Sequence, residues 1–174
     1  MKHYPIIFTL LLVPFFGWGQ TPAIQHFYDK YKSMEQVQDI KLQGWVLELA
    51  SEFSDEALGE QLLRKITQLR VLVMEAGNLV SPTEYRSLLR DVKRASFEEL
   101  IKVKEEGQHV DLLIRERGDT ITDVLVVISG TDGFVLLSLE GALKFSDLND
   151  LNIDVRGADQ FKKLPEKKSD IPQA

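Results

Sequence analysis

The sequence predicts an α+β fold: a mostly antiparallel sheet of five to six strands with helices packed on it. Two patterns predict it. Apolar residues recur at helical spacing in the first half of the chain, whereas short apolar runs separated by Gly-containing turns fill the second half. The composition, with 44% hydrophobic and 28% charged residues, is that of an ordinary globular protein. We assign residues 20–157 to a single domain, because a chain of 174 residues is long enough to bury a core without disulfides.

Residues 1–19 have the three-part layout of a secretory signal peptide. Lys2 supplies the positive start, residues 6–16 form an apolar run, and the small residues Gly17 and Gly19 precede the expected cleavage site. A retained anchor or a buried helix is the alternative, but the run is shorter than the roughly 20 residues of a membrane span. We therefore expect export to the periplasm or the medium, with no stable membrane insertion after cleavage.

The sequence of the first half of the mature chain predicts four helices and two strands. The helices are expected from Pro22 to Tyr31, over 45–53, after a Ser54 cap, and over 82–94. The strands are expected over 36–42 and 68–74. The helix over 82–94 has the clearest start, because Ser81 and Glu84 have the spacing of a capping box and Pro82 suits the first turn.

The second half predicts a four-strand antiparallel meander. Its strands are expected over 98–104, 109–116, 120–129 and 134–140. The first of these segments also suits a helix, and we favour a strand. The continuous apolar runs 124–128 and 134–137 predict strands that are covered on both faces. In contrast, the alternation over 109–116 predicts that one face of this strand is wetter than the other.

The end of the chain predicts a short helix followed by a tail. Ser146 is a suitable cap for a closing helix that ends near Leu151. Residues 158–174 are charged, contain Pro165 and Pro172, and have few apolar side chains, so we expect a disordered tail.

Charge and cysteine content exclude several classes of function. The formal net charge of −6 makes the protein a poor general binder of nucleic acid or anionic lipid, since both are polyanions. The chain has no cysteine, which excludes disulfides, thiol catalysis and thiolate metal sites.

Histidines and clustered acidic residues are the candidate metal ligands of the sequence. His3 leaves with the signal peptide, whereas His26 and His109 lack a metal-ligand spacing and are interpreted as surface or edge residues. Within 147–154, a calcium loop starting at Asp150 has oxygen ligands at its third and fifth positions. It has Val155 where glycine is required and Phe161 where the closing glutamate is required, so we interpret the segment as a capped helix and turn.

Three further patterns have simple structural interpretations. The tripeptide Arg117-Gly118-Asp119 lies where a hairpin turn is needed, and Gly-Asp is common in turns. The acidic pairs 98–99 and 105–106 are adjacent, so on a strand their side chains point to opposite faces. The sequence contains no G-x-S-x-G elbow and no glycine-rich phosphate loop.

The order and spacing of several segments resemble the domain-of-unknown-function 4252 family, small exported proteins found largely in Bacteroidetes-type bacteria. The resemblance covers residues 24–151 and rests on the segments 27–31, 69–72, 97–104, 110–114 and 137–141. Some relatives look like lipoproteins, from which this cysteine-free chain departs. The resemblance implies the compartment and the fold, and it carries over no catalytic residue.

The sequence thus offers no catalytic, cofactor-binding or metal-binding residue. It favours an exported non-catalytic module that binds an unknown protein or envelope partner, in envelope signalling or maintenance. One alternative is a hydrolase-like enzyme whose carboxylates meet only in the fold. Another is a self-associating structural protein, a homodimer that buries one apolar sheet face.

Overall fold

The fold was obtained as a computed structural model that describes residues 21–44, 46, 57–105 and 107–150. Within these ranges the elements, in chain order, are α1 (Pro22–Tyr31), β1 (Val37–Gln43), α2 (Ala57–Lys65), β2 (Ile66–Met74), α3 (Pro82–Arg94), β3 (Glu98–Glu105), β4 (Gln108–Arg117), β5 (Thr120–Ser129), β6 (Phe134–Leu143) and a closing 3-10 helix (Phe145–Asp150). The expected signal peptide (1–19) and tail (158–174) lie outside the described residues. Of the helix expected over 45–53, residue 46 is described, and it is helical.

The six described strands form one antiparallel sheet in the order β1-β2-β6-β5-β4-β3. This confirms the α+β prediction and the C-terminal meander, in which each strand from β3 to β6 pairs with the next. Strand β6 then pairs with β2, so the meander joins the β1–β2 pair. Gly107 (φ +84°) and Gly118 (φ +60°) occupy left-handed positions in the β3–β4 and β4–β5 turns, where glycine has no steric penalty.

Helix α3 begins and ends at the residues that its sequence signals predict. The Ser81 hydroxyl accepts a hydrogen bond from the Glu84 amide at 3.2 Å, and the Glu84 carboxylate accepts one from the Ser81 amide at 3.0 Å. This capping box, followed by Pro82, satisfies amide groups that a helix start leaves without partners. The buried side chains Leu88, Leu89 and Val92 face the sheet.

The sheet has an apolar layer on each face. Helices α1 and α3 pack on one face, which we call the helix face, where Tyr28, Leu72 and Leu125 are fully buried. On the opposite face Val126 and Ile114 are fully buried, and Leu62 of α2 and Leu148 of the closing 3-10 helix pack there. Burial on both faces explains the continuous apolar run over 124–128. No helix in the described part of the chain is long and apolar enough to cross a membrane.

The wetter face expected for the strand over 109–116 does not extend to the middle of β4. Residues 110–114 of β4 are all buried, and on the face opposite Val110, Leu112 and Ile114 the side chains of Asp111 and Leu113 have no exposed surface. They lie on the helix face, where α3 covers them. A strand prediction treats a polar residue in an alternating pattern as a solvent contact, whereas here Asp111 lies beneath a helix.

Candidate functional site

A groove of about 610 Å³ lies between α3 and the edge strand β3. We call it the basic groove and define it by the residues that line it: Tyr85, Arg86, Leu89, Arg90, Lys93, Arg94 and Lys102. Five of these seven side chains are cationic, although the chain as a whole is acidic. The groove is therefore a local concentration of positive charge on a chain whose net charge is negative.

Helical geometry places most of the cations together. Arg86, Arg90 and Arg94 follow one another at four-residue spacing, which aligns their side chains along one side of α3. The buried leucines of the same helix hold the opposite side against the sheet. Lys102 enters the groove from β3. The cations thus have fixed backbone positions on a capped helix and a strand.

The carboxylates that pair with the groove are fewer than its cations. Arg90 and Arg94 share Asp91, at 3.0 and 3.6 Å, and Lys93 meets Glu99 at 2.6 Å. The hydrogen bond from Arg90 is the main cause that lowers the pKa of Asp91 below its ordinary value.

All of these pairs lie at the surface, with 40% or more of each Arg90, Arg94 and Asp91 side chain exposed. Exposed ion pairs contribute little to stability, so an incoming anion can replace them at low cost.

A buried carboxylate lies beneath the groove. Asp111 has no exposed surface, and the Tyr85 hydroxyl donates a hydrogen bond to its Oδ2. Its Oδ1 lies 3.7 Å from the Lys102 ammonium and has no hydrogen-bond partner among the described residues. Burial, with the hydrogen bond to Asp111 as a further cause, raises the pKa of Tyr85 far above its ordinary value, so the phenol stays protonated. Buried carboxylates without full partners are costly, and such conflicts concentrate at functional sites.

A second charged cluster lies under α1 and is fully accounted for by packing. Arg70 makes two hydrogen bonds with Asp39, at 2.8 and 2.7 Å, and only 4% of the residue is exposed. Its guanidinium lies 4.0 Å from the centre of the Tyr28 ring. These contacts bind α1 to the β1–β2 edge of the sheet.

Two carboxylates from separate strands face each other on β5 and β6. Asp123 and Glu140 are opposite each other in the ladder, and Arg115 makes two 2.7 Å hydrogen bonds with Asp123. Burial is the largest cause that raises the pKa of Glu140 above its ordinary value, and the charge of Asp123 adds to it. These two carboxylates are distant along the chain, as the alternative of a carboxylate-based enzyme requires.

The residues that the sequence singled out lie apart from the basic groove or have structural contacts. His26 lies beside the cleft between α1 and α3, and the His109 ring packs 5.8 Å from the Tyr85 ring. Asp147 pairs with Lys65 at 2.7 Å and accepts the Lys144 amide at 2.7 Å. The Arg117-Gly118-Asp119 tripeptide forms the β4–β5 turn, as expected.

In the described part of the chain no group of three or more His, Asp or Glu residues could hold a metal ion. Residues 151–154, the rest of the acidic segment that was interpreted as a capped helix and turn, lie outside the described residues.

Sequence reading missed the basic groove, although part of its signal was present. The spacing of Arg86, Arg90, Lys93 and Arg94 is itself a one-sided helical pattern. The contribution of Lys102 and the buried position of Asp111 carry no such signal, because both depend on how β3 and β4 pair under α3.

Comparison with known proteins identifies the family. No curated protein and no solved structure matches this chain. A family model described as Domain of unknown function (DUF4252) matches residues 31–151, more than half of the chain. The matched region runs from the end of α1 past the closing 3-10 helix and contains every residue of the basic groove. The chain therefore belongs to the DUF4252 family.

Proposed function

We propose that this protein is an exported, non-catalytic binding module, and that the basic groove is its binding site for an anionic ligand. The observation that carries the proposal is the charge of the groove: five cations line it in a chain of net charge −6. The volume of the groove falls within the range of about 300–1,000 Å³ that is typical of ligand sites.

The chemistry of the lining favours carboxylate or phosphate groups. The planar guanidinium of arginine donates two parallel hydrogen bonds to such groups, and Arg86, Arg90 and Arg94 offer three of them in a row. Lys102 adds a point charge from the strand side, held 3.7 Å from both Glu99 and Asp111. Sites on a helix and a strand are held more rigidly than sites on loops, which supports a preformed surface.

The signal-peptide pattern of residues 1–19 supports a place of action outside the cytoplasm. We accordingly propose that the ligand is an envelope or secreted component, in signalling or maintenance of the envelope.

An NMR titration tests the proposal. Inorganic phosphate, added to the purified ¹⁵N-labelled protein at constant ionic strength, should shift amide signals within 85–94 and 101–103 most strongly. Sodium chloride at matched ionic strength is the control and should produce smaller, scattered shifts. Phosphate shifts spread evenly over the surface, or absent from these segments, would contradict the proposal.

A carboxylate-based enzyme is the second candidate, and one observation favours it. Glu140 is half-buried beside Asp123, and its raised pKa is a property of general acids. A broad hydrolase substrate panel, with and without divalent metals, tests this candidate. Turnover that disappears in Glu140→Gln would support the enzyme and contradict the non-catalytic module.

A further inference from the structure

The arginines of the basic groove repeat at a distance that an extended peptide can match. Arg86, Arg90 and Arg94 are separated by four residues, which corresponds to about 6 Å along the axis of α3 for each step. In an extended chain, side chains two residues apart lie on the same side at a spacing of about 6.7 Å. Alternate acidic residues of an extended segment therefore repeat nearly in step with the arginines.

The groove is open along one side, which suits a ligand that lies lengthwise. Strand β3 is at the edge of the described sheet and pairs with β4 on its other side. Lys102, the ring of Tyr85 and the largely buried Leu89 line the groove together with the arginine row. A peptide could thus place acidic side chains toward the cations and aliphatic atoms on Tyr85 and Leu89.

The charge balance leaves room for added anions. Among the described residues, four of the five groove cations pair with three carboxylates, those of Asp91, Glu99 and Asp111, so the cations exceed these carboxylates by two. The shared pairs of Arg90 and Arg94 with Asp91 are surface contacts that solvent already weakens. A ligand with two or three carboxylates would neutralise the excess.

The net charge of the protein favours a short ligand over an extended polyanion. Beyond roughly 8 Å at physiological salt, exposed charges are screened, so a few acidic residues in the groove experience mainly its local cations. A nucleic acid or an anionic membrane would contact more of the protein than the groove, and the net charge of −6 would oppose its binding.

We propose that the basic groove binds a short acidic segment of a partner protein in an extended conformation, with alternate carboxylates on Arg86, Arg90 and Arg94. The inference rests on the proposed function of the groove and names the chemistry of the partner. Every arginine of the row is exposed, so its replacement should leave the fold intact.

Fluorescence anisotropy with a labelled six-residue peptide of alternating Glu and Ser tests the inference on the purified protein. We expect at least a tenfold loss of affinity in the variant Arg86→Gln/Arg90→Gln/Arg94→Gln. The matched control Lys32→Gln/Lys41→Gln/Arg117→Gln removes the same charge at exposed sites outside the groove and should bind within twofold of the parent. A Gln-Ser peptide should bind at least tenfold more weakly than the Glu-Ser peptide. If the triple variant loses its circular dichroism signal, Arg90→Gln alone should still lower the affinity.

The outcomes separate this inference from the proposed function. Phosphate shifts at the groove without peptide binding would overturn the acidic-segment inference and leave an anion site in place. Absence of both would overturn both. Equal losses in the groove variant and the control variant would show diffuse attraction and overturn the inference. Binding to phosphatidylglycerol vesicles in preference to the peptide would assign the groove to a lipid surface instead.

Discussion

The Tyr28 hydroxyl lies 2.9 Å from the backbone carbonyl oxygen of Arg70 and donates a hydrogen bond to it, while the Arg70 guanidinium lies 4.0 Å from the centre of the Tyr28 ring. One residue of α1 thus contacts both the main chain and the side chain of a β2 residue. The same hydroxyl is 3.2 Å from the Leu136 carbonyl oxygen and 3.0 Å from the Ser138 hydroxyl. Burial is the main cause that raises the pKa of Tyr28 above its ordinary range, so it remains a donor at all physiological pH values.

Replacing this phenol should destabilise the protein without changing its shape. Tyr28→Phe keeps the ring and leaves buried polar groups without their partner, which costs about 1–3 kcal/mol. Urea unfolding measures the loss, and Tyr31→Phe is the control, because the Tyr31 hydroxyl is not part of this cluster. Equal stability of Tyr28→Phe and the parent would contradict a structural role for these hydrogen bonds.

A charge in the centre of the sheet should be far more damaging than one at its edge. Val126 has no exposed surface, and Val126→Asp would bury a carboxylate at a cost of several kcal/mol or force its protonation. The control Ile40→Asp lies on the edge strand β1, where 47% of the residue is exposed. We expect a large drop in melting temperature for the first variant and a small one for the second. A drop of only a degree or two for Val126→Asp would contradict its central position.

Glu140 predicts a specific dependence of stability on pH. Its pKa is raised in the folded state, so its contribution to stability is full below the ordinary pKa of glutamate and is lost as the pH rises through the raised value. Glu140→Gln resembles the protonated form and still offers an oxygen to the Gln68 amide, which lies 3.2 Å from Glu140.

The free energy of unfolding of Glu140→Gln minus that of the parent should therefore be larger at pH 7 than at pH 4. Urea unfolding at both pH values measures this difference, and the exposed Glu35→Gln is the control. The opposite trend would show that Glu140 is stabilised in its charged form.

Asp147 should contribute to stability through two separable contacts that hold the closing 3-10 helix. It pairs with Lys65 of α2, and its Oδ2 accepts the Lys144 amide at 2.7 Å. Asp147→Asn keeps an acceptor for the amide and loses the charge, whereas Asp147→Ala loses both contacts. We expect thermal unfolding to rank the parent, Asn and Ala variants in that order, with the Ala variant lower by about 1–2 kcal/mol. Equal values for Asn and Ala would show that the amide contact contributes nothing.

The signal-peptide pattern predicts where the mature protein begins. Cleavage after Gly19 would leave Gln20 as the first residue, and cleavage one residue later would leave Thr21. Intact-mass measurement on protein recovered from the envelope or medium of its native host distinguishes these ends. A mass that includes Met1 would contradict cleavage and favour a retained anchor.

The elements of the fold were predictable because their signals are local. The capping box at Ser81 and Glu84 defines the start of α3, and the stripe over residues 24–31 predicts α1, in which the four residues of the stripe are all buried. Gly107 and Gly118 occupy turns between predicted strands. Each of these signals depends on residues within a few positions of one another, so no partner element is needed to interpret them.

What only the tertiary structure decided is the environment of residues that lie far apart in the sequence. The strand order β2-β6 brings Tyr28 to Ser138, and the cover that α3 provides buries Asp111 against Tyr85 and Lys102. The basic groove likewise joins a helical row of arginines, visible in the sequence, to a lysine on a strand that follows it. The hydrophobic pattern determines which side of each element turns inward. Which charges then meet depends on long-range pairing and on the packing of helices over strands, and no local periodicity encodes either.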